Sequence, residues 1–194
     1  GRLARDKGVE DLATAWKVLR EESHDARLML VGSWEAETPV DPEIRESLEN
    51  DPRVDLVGFA TDVVPFYKAM SIFVFPSHGT EGFPNVPMEA AAMELPVIAT
   101  RVVGCVDAVE PGVTGELVPL KDPPAIVTAV QRYLRDDKLR REHGQAGRLR
   151  AKRDFQPEGI WREIHFQYCR LLRERRLLIP QPDDSAQGGQ ARSL

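Results

Sequence analysis

Apolar runs of only three to five residues, spaced between amphipathic stretches of helical length, constrain this chain more than any other feature. A run that short is too brief for a buried helix. Where it is continuously apolar, it also lacks the alternation of a half-wet strand, so it reads as a strand covered on both faces. Leu28–Val31 runs into Gly32, Val54–Val57 precedes Gly58, and Ile72–Phe75 is stopped by Pro76. Val97–Ala99 and Gly115–Val118 follow. Between the runs, Val9–Glu22 spaces Leu12, Ala15, Trp16 and Leu19 as one helical face. Pro42–Asn50 follows Asp41, a good N-cap, and Asp62 opens a helix reaching Met70. Pro87–Met93 has its proline in the first turn, and Pro123–Leu134 and Asp136–Arg150 are helical in pattern. The β-α-β-α order predicts an α/β fold: a doubly wound parallel sheet with right-handed crossovers.

The pattern breaks at Asp154-Phe155-Gln156-Pro157. Beyond it Ile160, Trp161, Ile164, Tyr168, Leu171 and Leu172 mark one face of a long helix, and such a stripe needs a partner surface. Ile179–Leu194, rich in Pro, Gln, Gly and Ser, reads as a flexible tail. The expected organisation is a domain over 1–155, a helix over 156–178 and a tail over 179–194. With 194 residues, 42% hydrophobic and 29% charged, the chain can bury a real core, and wholesale disorder is excluded. It has no apolar run long enough to span a membrane, and the polar start Gly1–Gly8 is no signal peptide. Cys105 and Cys169 are far apart with no C-x-x-C, which argues against a disulfide framework or zinc ribbon and for a reducing cytoplasm. The first residue is Gly rather than Met, so the chain reads as a fragment of something longer.

Charge is unevenly spread. Residues 1–120 hold 10 Lys and Arg against 21 Asp and Glu, a balance of −11, whereas residues 121–176 hold 15 against 8, a balance of +7. The acidic part argues against general nucleic-acid binding. The basic part suits a phosphate-bearing partner or an anionic membrane surface, or is simply a solvated face of charged helices.

In an open parallel sheet ligands bind at the carboxyl ends of the strands. The richest loop there is Pro76–Glu89, which leaves the Ile72–Phe75 strand and enters the Pro87 helix. Gly79 and Gly82 let a ligand approach the backbone, and helix-start amides near Asn85 and Val86 make an anion site. Glu81 and Glu89 bracket it, and a carboxylate can accept from two sugar hydroxyls at once. Amides for phosphate with carboxylates for hydroxyls describe a nucleotide sugar. A glutamate in a first helical turn is otherwise often only a partner of the helix dipole.

The segment Glu81-Gly82-Phe83-Pro84-Asn85-Val86-Pro87-Met88-Glu89 resembles the E-x7-E motif of family 4 retaining glycosyltransferases. Ala90–Thr100 is similar to that family's next helix and strand, and Gly112-Val113-Thr114-Gly115-Glu116-Leu117-Val118-Pro119 to its G-x-x-G-x-L-V-P turn. Gly1-Arg2-Leu3 with Lys7-Gly8 resembles its G-R-L…K-G loop, and Val57-Gly58-Phe59 before Asp62 its L-G loop. Glu-Gly-Phe-Pro-Asn with Gly104-Cys105-Val106-Asp107 resembles bacterial surface-polysaccharide enzymes.

The resemblance implies the C-terminal half of a GT-B fold, a Rossmann-like three-layer α/β/α domain. It implies sugar transfer from an NDP-sugar donor to a glycan or lipid-linked acceptor without a bound metal or other cofactor. It also implies a cytoplasmic location, reaching to the inner face of the cell membrane, and an N-terminal acceptor domain as partner. Arg2 and Lys7 would then hold the diphosphate, and Glu81 the donor sugar. Gly82, Phe83, Pro84, Asn85 and Val86 would shape the donor wall, Glu89 would bind the ribose, and Gly58 and Phe59 would flank the base. His78 is placed to line the same pocket, although a lone loop histidine is more often just exposed. Two alternatives stand beside this: a UDP-sugar epimerase of the GT-B type, and a non-catalytic module that binds nucleotide sugars.

Overall fold

A computed structural model describes residues 1–79, 82–155 and 157–175. They form two compact units, divided after Asp154.

The first unit opens with a 3-10 turn at Arg5–Lys7 and alternates strands with helices. In chain order these are α1 (Val9–Glu22), β1 (Leu28–Val31), α2 (Pro42–Glu49), β2 (Val54–Gly58), α3 (Val64–Ala69), β3 (Phe73–Phe75) and α4 (Asn85–Ala92). They continue through β4 (Val97–Thr100), α5 (Cys105–Ala108), β5 (Gly115–Val118), α6 (Pro123–Arg135) and α7 (Asp137–Asp154). Every strand pairing in these ladders is parallel, as the short apolar runs require. The hydrogen-bonded ladders fall into two sheets, β1-β2 and β3-β4-β5, rather than one continuous sheet. Gly1–Lys7 lies between their carboxyl ends. Leu3 forms a parallel bridge with Trp34 beyond β1, while the Asp6 carbonyl accepts from the His78 N–H beyond β3 at 2.8 Å.

Two cores flank the three-stranded sheet. Ile98 and Val118 join a cluster built by α1, α2 and α6, with Trp16, Leu19, Ile126 and Tyr133 at its heart. Val97 and Ala99 face the opposite cluster, where Tyr67 of α3, Ala90 and Ala91 of α4 and Cys105 of α5 are buried. Successive side chains of a strand point to opposite faces, so β4, buried at all four positions, is covered on both sides. This is the expected three-layer α/β/α arrangement.

Local chemistry sets the element ends. Asp41 caps α2 by accepting from the Glu43 and Ile44 N–H groups, and Asp122 caps α6 through the Ala125 N–H. The helix expected from Pro87 begins two residues earlier, at Asn85. Pro87 is then its third residue, where a missing N–H costs nothing because that donor lies among the helix-start orphans. The four-residue α5 was not expected from the sequence.

The second unit contains α8 (Pro157–Glu174), on which Trp161, Ile164, Tyr168 and Leu171 are exposed. The expected tail over 179–194 lies outside the described residues.

Candidate functional site

The loops after β1 and β3 converge on the Gly1–Lys7 segment. Leu3 donates its N–H to Ser33 O at 2.8 Å and accepts from the Glu35 N–H at 3.0 Å. On the other side, Ser77 Oγ also reaches Asp6 O, at 3.4 Å. Gly8 is left-handed at φ 70°, and a Cβ there would overlap the carbonyl of Pro76. Only glycine lets the Lys7-bearing turn press this closely on the exit of β3. Behind the contact, Thr100 donates its hydroxyl to Ser77 O, and both residues are buried.

His78 is half-buried, against the exposed loop position expected. Its Nε2 pairs with Asp11 Oδ2 in the first turn of α1 at 2.6 Å. With the Asp6–His78 backbone bond, this pair ties the start of α1 to the loop that leads into α4.

That loop contains the candidate ligands. Glu81 lies outside the described residues. Gly82 is exposed, and a Cβ at Gly79 or Gly82 would meet no protein atom within 4 Å. Internal packing therefore does not demand glycine at either position, and an approaching ligand would find the backbone open. Phe83 is 40% exposed and Pro84 is buried. Pro84 occupies the N-cap of α4 and, having no side-chain oxygen, cannot cap the first amides of the helix itself.

Glu89, one turn into α4, is exposed at its carboxylate edge. It accepts a hydrogen bond from the Tyr67 hydroxyl of α3 at 3.0 Å. Burial first, then the charge and hydrogen bond of Glu89, push the Tyr67 phenol well above its ordinary range. The Gly1 amino group, lowered mainly by burial, is pulled up by Glu89 and pushed down by Lys7. The charges of Lys7 and Glu89 thus both reach the Gly1 amino group, which sits on Val31 O at the end of β1.

Arg2 is turned elsewhere. Its guanidinium pairs with Glu35 at 3.0 Å and with Asp6 at 3.7 Å. The Glu35 hydrogen bond above all raises Arg2, and Arg2 in turn is the main cause holding Glu35 below the ordinary carboxylate range. Gly58 ends β2 at φ 77°, a left-handed turn, and Phe59 after it is 78% exposed on the same carboxyl edge. Among the described residues no three His, Cys, Asp or Glu side chains gather as a metal site, and no helix is long and apolar enough to cross a membrane.

Tyr67 and Asp11 were missed by sequence reasoning. Tyr67 lies within the short helix α3 and Asp11 in the first turn of α1. Neither signals a partner that is distant in sequence.

A parallel α/β domain with a glycine-bearing loop entering a helix at its carboxyl edge has the architecture in which ligands bind at the ends of the strands. Comparison with known proteins narrows this. The model of the family described as glycosyl transferases group 1 matches residues 1–136, and the chain belongs to that family. It is 37% identical over 174 residues to the capsular polysaccharide biosynthesis glycosyltransferase CapM of Staphylococcus aureus, covering 90% of this chain and 46% of CapM. Sucrose-phosphate synthase from Thermosynechococcus elongatus superposes with a TM-score of 0.77 at 34% identity, over 90% of this chain and 44% of that one. HepE of Anabaena, solved in complex with UDP, shares the fold at a TM-score of 0.78 and 22% identity, over 87% of this chain and 47% of that one. The chain thus spans less than half the length of each of these proteins.

Proposed function

We propose that this chain is the donor half of a retaining glycosyltransferase that moves a sugar from an NDP-sugar to a glycan or lipid-linked acceptor. The proposed setting is bacterial surface-polysaccharide synthesis, on the cytoplasmic side of the membrane. The observation that supports this best is the match of residues 1–136 to the glycosyl transferases group 1 model, within which the glycine-bearing loop after β3 enters α4 and Glu89 is held by Tyr67. The capsular role in CapM's name and the UDP held by HepE agree with it.

The chemistry asked of such a site is electrostatic. Breaking the bond between sugar and phosphate develops negative charge on the departing diphosphate. The Lys7 ammonium and the amides of Asn85 and Val86 would stabilise that charge, with Arg2 joining once it leaves Glu35. Glu89 would accept from the ribose hydroxyls, Glu81 from the sugar, and Gly82 to Pro84 would shape the wall. Phe59 beside Gly58 would flank the base. No metal is assigned a step. The acceptor would sit on a separate N-terminal half, toward which the apolar face of α8 would turn.

Titration of UDP, GDP and ADP by calorimetry tests the reading. Glu89→Ala should weaken the tightest of them by about ten- to a hundredfold, the cost of a lost charged hydrogen-bond partner. Glu81→Ala should leave the bare nucleoside diphosphate nearly untouched, because it would see only the sugar. Equal losses in the two variants would sink the role assignment.

A further inference from the structure

Glu89 does not meet solvent with both oxygens free. Its Oε2 accepts the hydroxyl proton of Tyr67, a buried side chain on a different helix. We infer that Tyr67 is a positioning residue for the nucleotide ribose: it fixes one oxygen of Glu89 so that the remaining lone pairs face the two vicinal hydroxyls. This rests on the reading of Glu89 as the ribose ligand.

Three observations support it. The Tyr67 ring is itself held, packed edge-on against Phe73 of β3 with centroids 5.8 Å apart and an interplanar angle of 62°. The phenol has a single proton, and the better-placed acceptor is Glu89 at 3.0 Å rather than Val86 O at 3.5 Å. Its titration is pushed upward, first by burial and then by Glu89, so it keeps its proton at neutral pH. An ionised carboxylate offers about four lone-pair sites. One is taken by Tyr67, and enough remain for two ribose donors. An exposed glutamate with no such tether would lose rotamer freedom on binding, whereas one already ordered loses less.

The experiment compares UDP, GDP and ADP with their 2′,3′-dideoxy counterparts, by calorimetry, on the wild-type chain, Tyr67→Phe, Glu89→Gln and the double variant. Phenylalanine keeps the packing on Phe73 and removes only the donor. Tyr67→Phe should weaken the tightest ribonucleotide by about three- to tenfold. It should leave its dideoxy counterpart unchanged, which also shows that the variant is folded, and it should add little in the Glu89→Gln background. Equal weakening of both ligands, no weakening at all, or full additivity in the double variant would each overturn the positioning role. If Glu89→Gln no longer prefers the ribonucleotide over the dideoxy form, the ribose reading of Glu89 stands. If it prefers the ribonucleotide as strongly as wild type does, that reading falls and takes the inference with it.

Discussion

Arg2 and His143 show how single side chains in this domain are set by their neighbours. Arg2 is engaged by Glu35 and Asp6, so a phosphate must compete with those carboxylates. Such an exposed pair is weak, because solvent screens it. Glu35→Ala is therefore expected to tighten nucleoside diphosphate binding by about two- to fivefold, read by calorimetry. Unchanged affinity would show that Glu35 does not hold Arg2 back. His143 is buried, with Nδ1 2.8 Å from the Tyr133 hydroxyl. Desolvation, opposed by Glu116, lowers its imidazole below the ordinary value of 6.5. The unfolded chain therefore takes up this proton at a higher pH than the native one does. The stability tied to a neutral His143 is complete above about pH 6.5 and is lost as the pH falls through the lower native value. Urea midpoints should drop between pH 7.5 and 5.5, and drop less in His143→Gln. A midpoint that rises on acidification would contradict this.

At the scale of elements, α7 lies against the end of α4 through glycine. A Cβ at Gly144 would overlap the carbonyl oxygen of Glu94, a non-glycine residue at φ 63° that closes α4. Alanine inside a helix normally gains about 0.5–1 kcal/mol over glycine. Overlap with a fixed backbone atom costs about 1–3 kcal/mol, so the clash should win. Gly144→Ala is expected to lower Tm by several degrees in a thermal melt, and a rise would mean that α7 does not press there. The strands were legible in the sequence as short, mostly apolar runs bounded by glycine or proline, clearest in Val97–Ala99, where burial on both faces leaves the run unbroken. The glycine-lined loop and the helix start after it were legible too, since both follow from residue types in consecutive order. The four-residue α5 was not, as so short a helix has no room for a period. Nor were the Tyr67–Glu89 and Asp11–His78 contacts, whose partners stand 22 and 67 residues apart. Pairing over such distances is decided by the packing of α1, α3 and α4, not by local pattern.

Considered whole, the first unit contains both cores, and none of their residues lies beyond Leu139. A chain ended after Asp154 should therefore melt within a few degrees of the full one and keep its affinity for a nucleoside diphosphate. A loss of cooperative unfolding in the shortened chain would show that α8 completes the fold. Within that unit the Gly1–Lys7 segment is held differently from everything around it. Leu3 and Ala4 are its buried side chains, and its other ties include backbone bonds such as Leu3 N–H to Ser33 O and Arg5 N–H to Thr38 O at 3.0 Å and exposed side-chain pairs such as Arg2 with Glu35. Bonds of this kind at an edge can open without melting either core. Amide hydrogens of Leu3, Arg5 and His78 should thus exchange with solvent through small local excursions, while those of β4 await global unfolding. A bound nucleoside diphosphate would slow the first group far more than the second, so exchange rates at these amides would register the occupancy of the site.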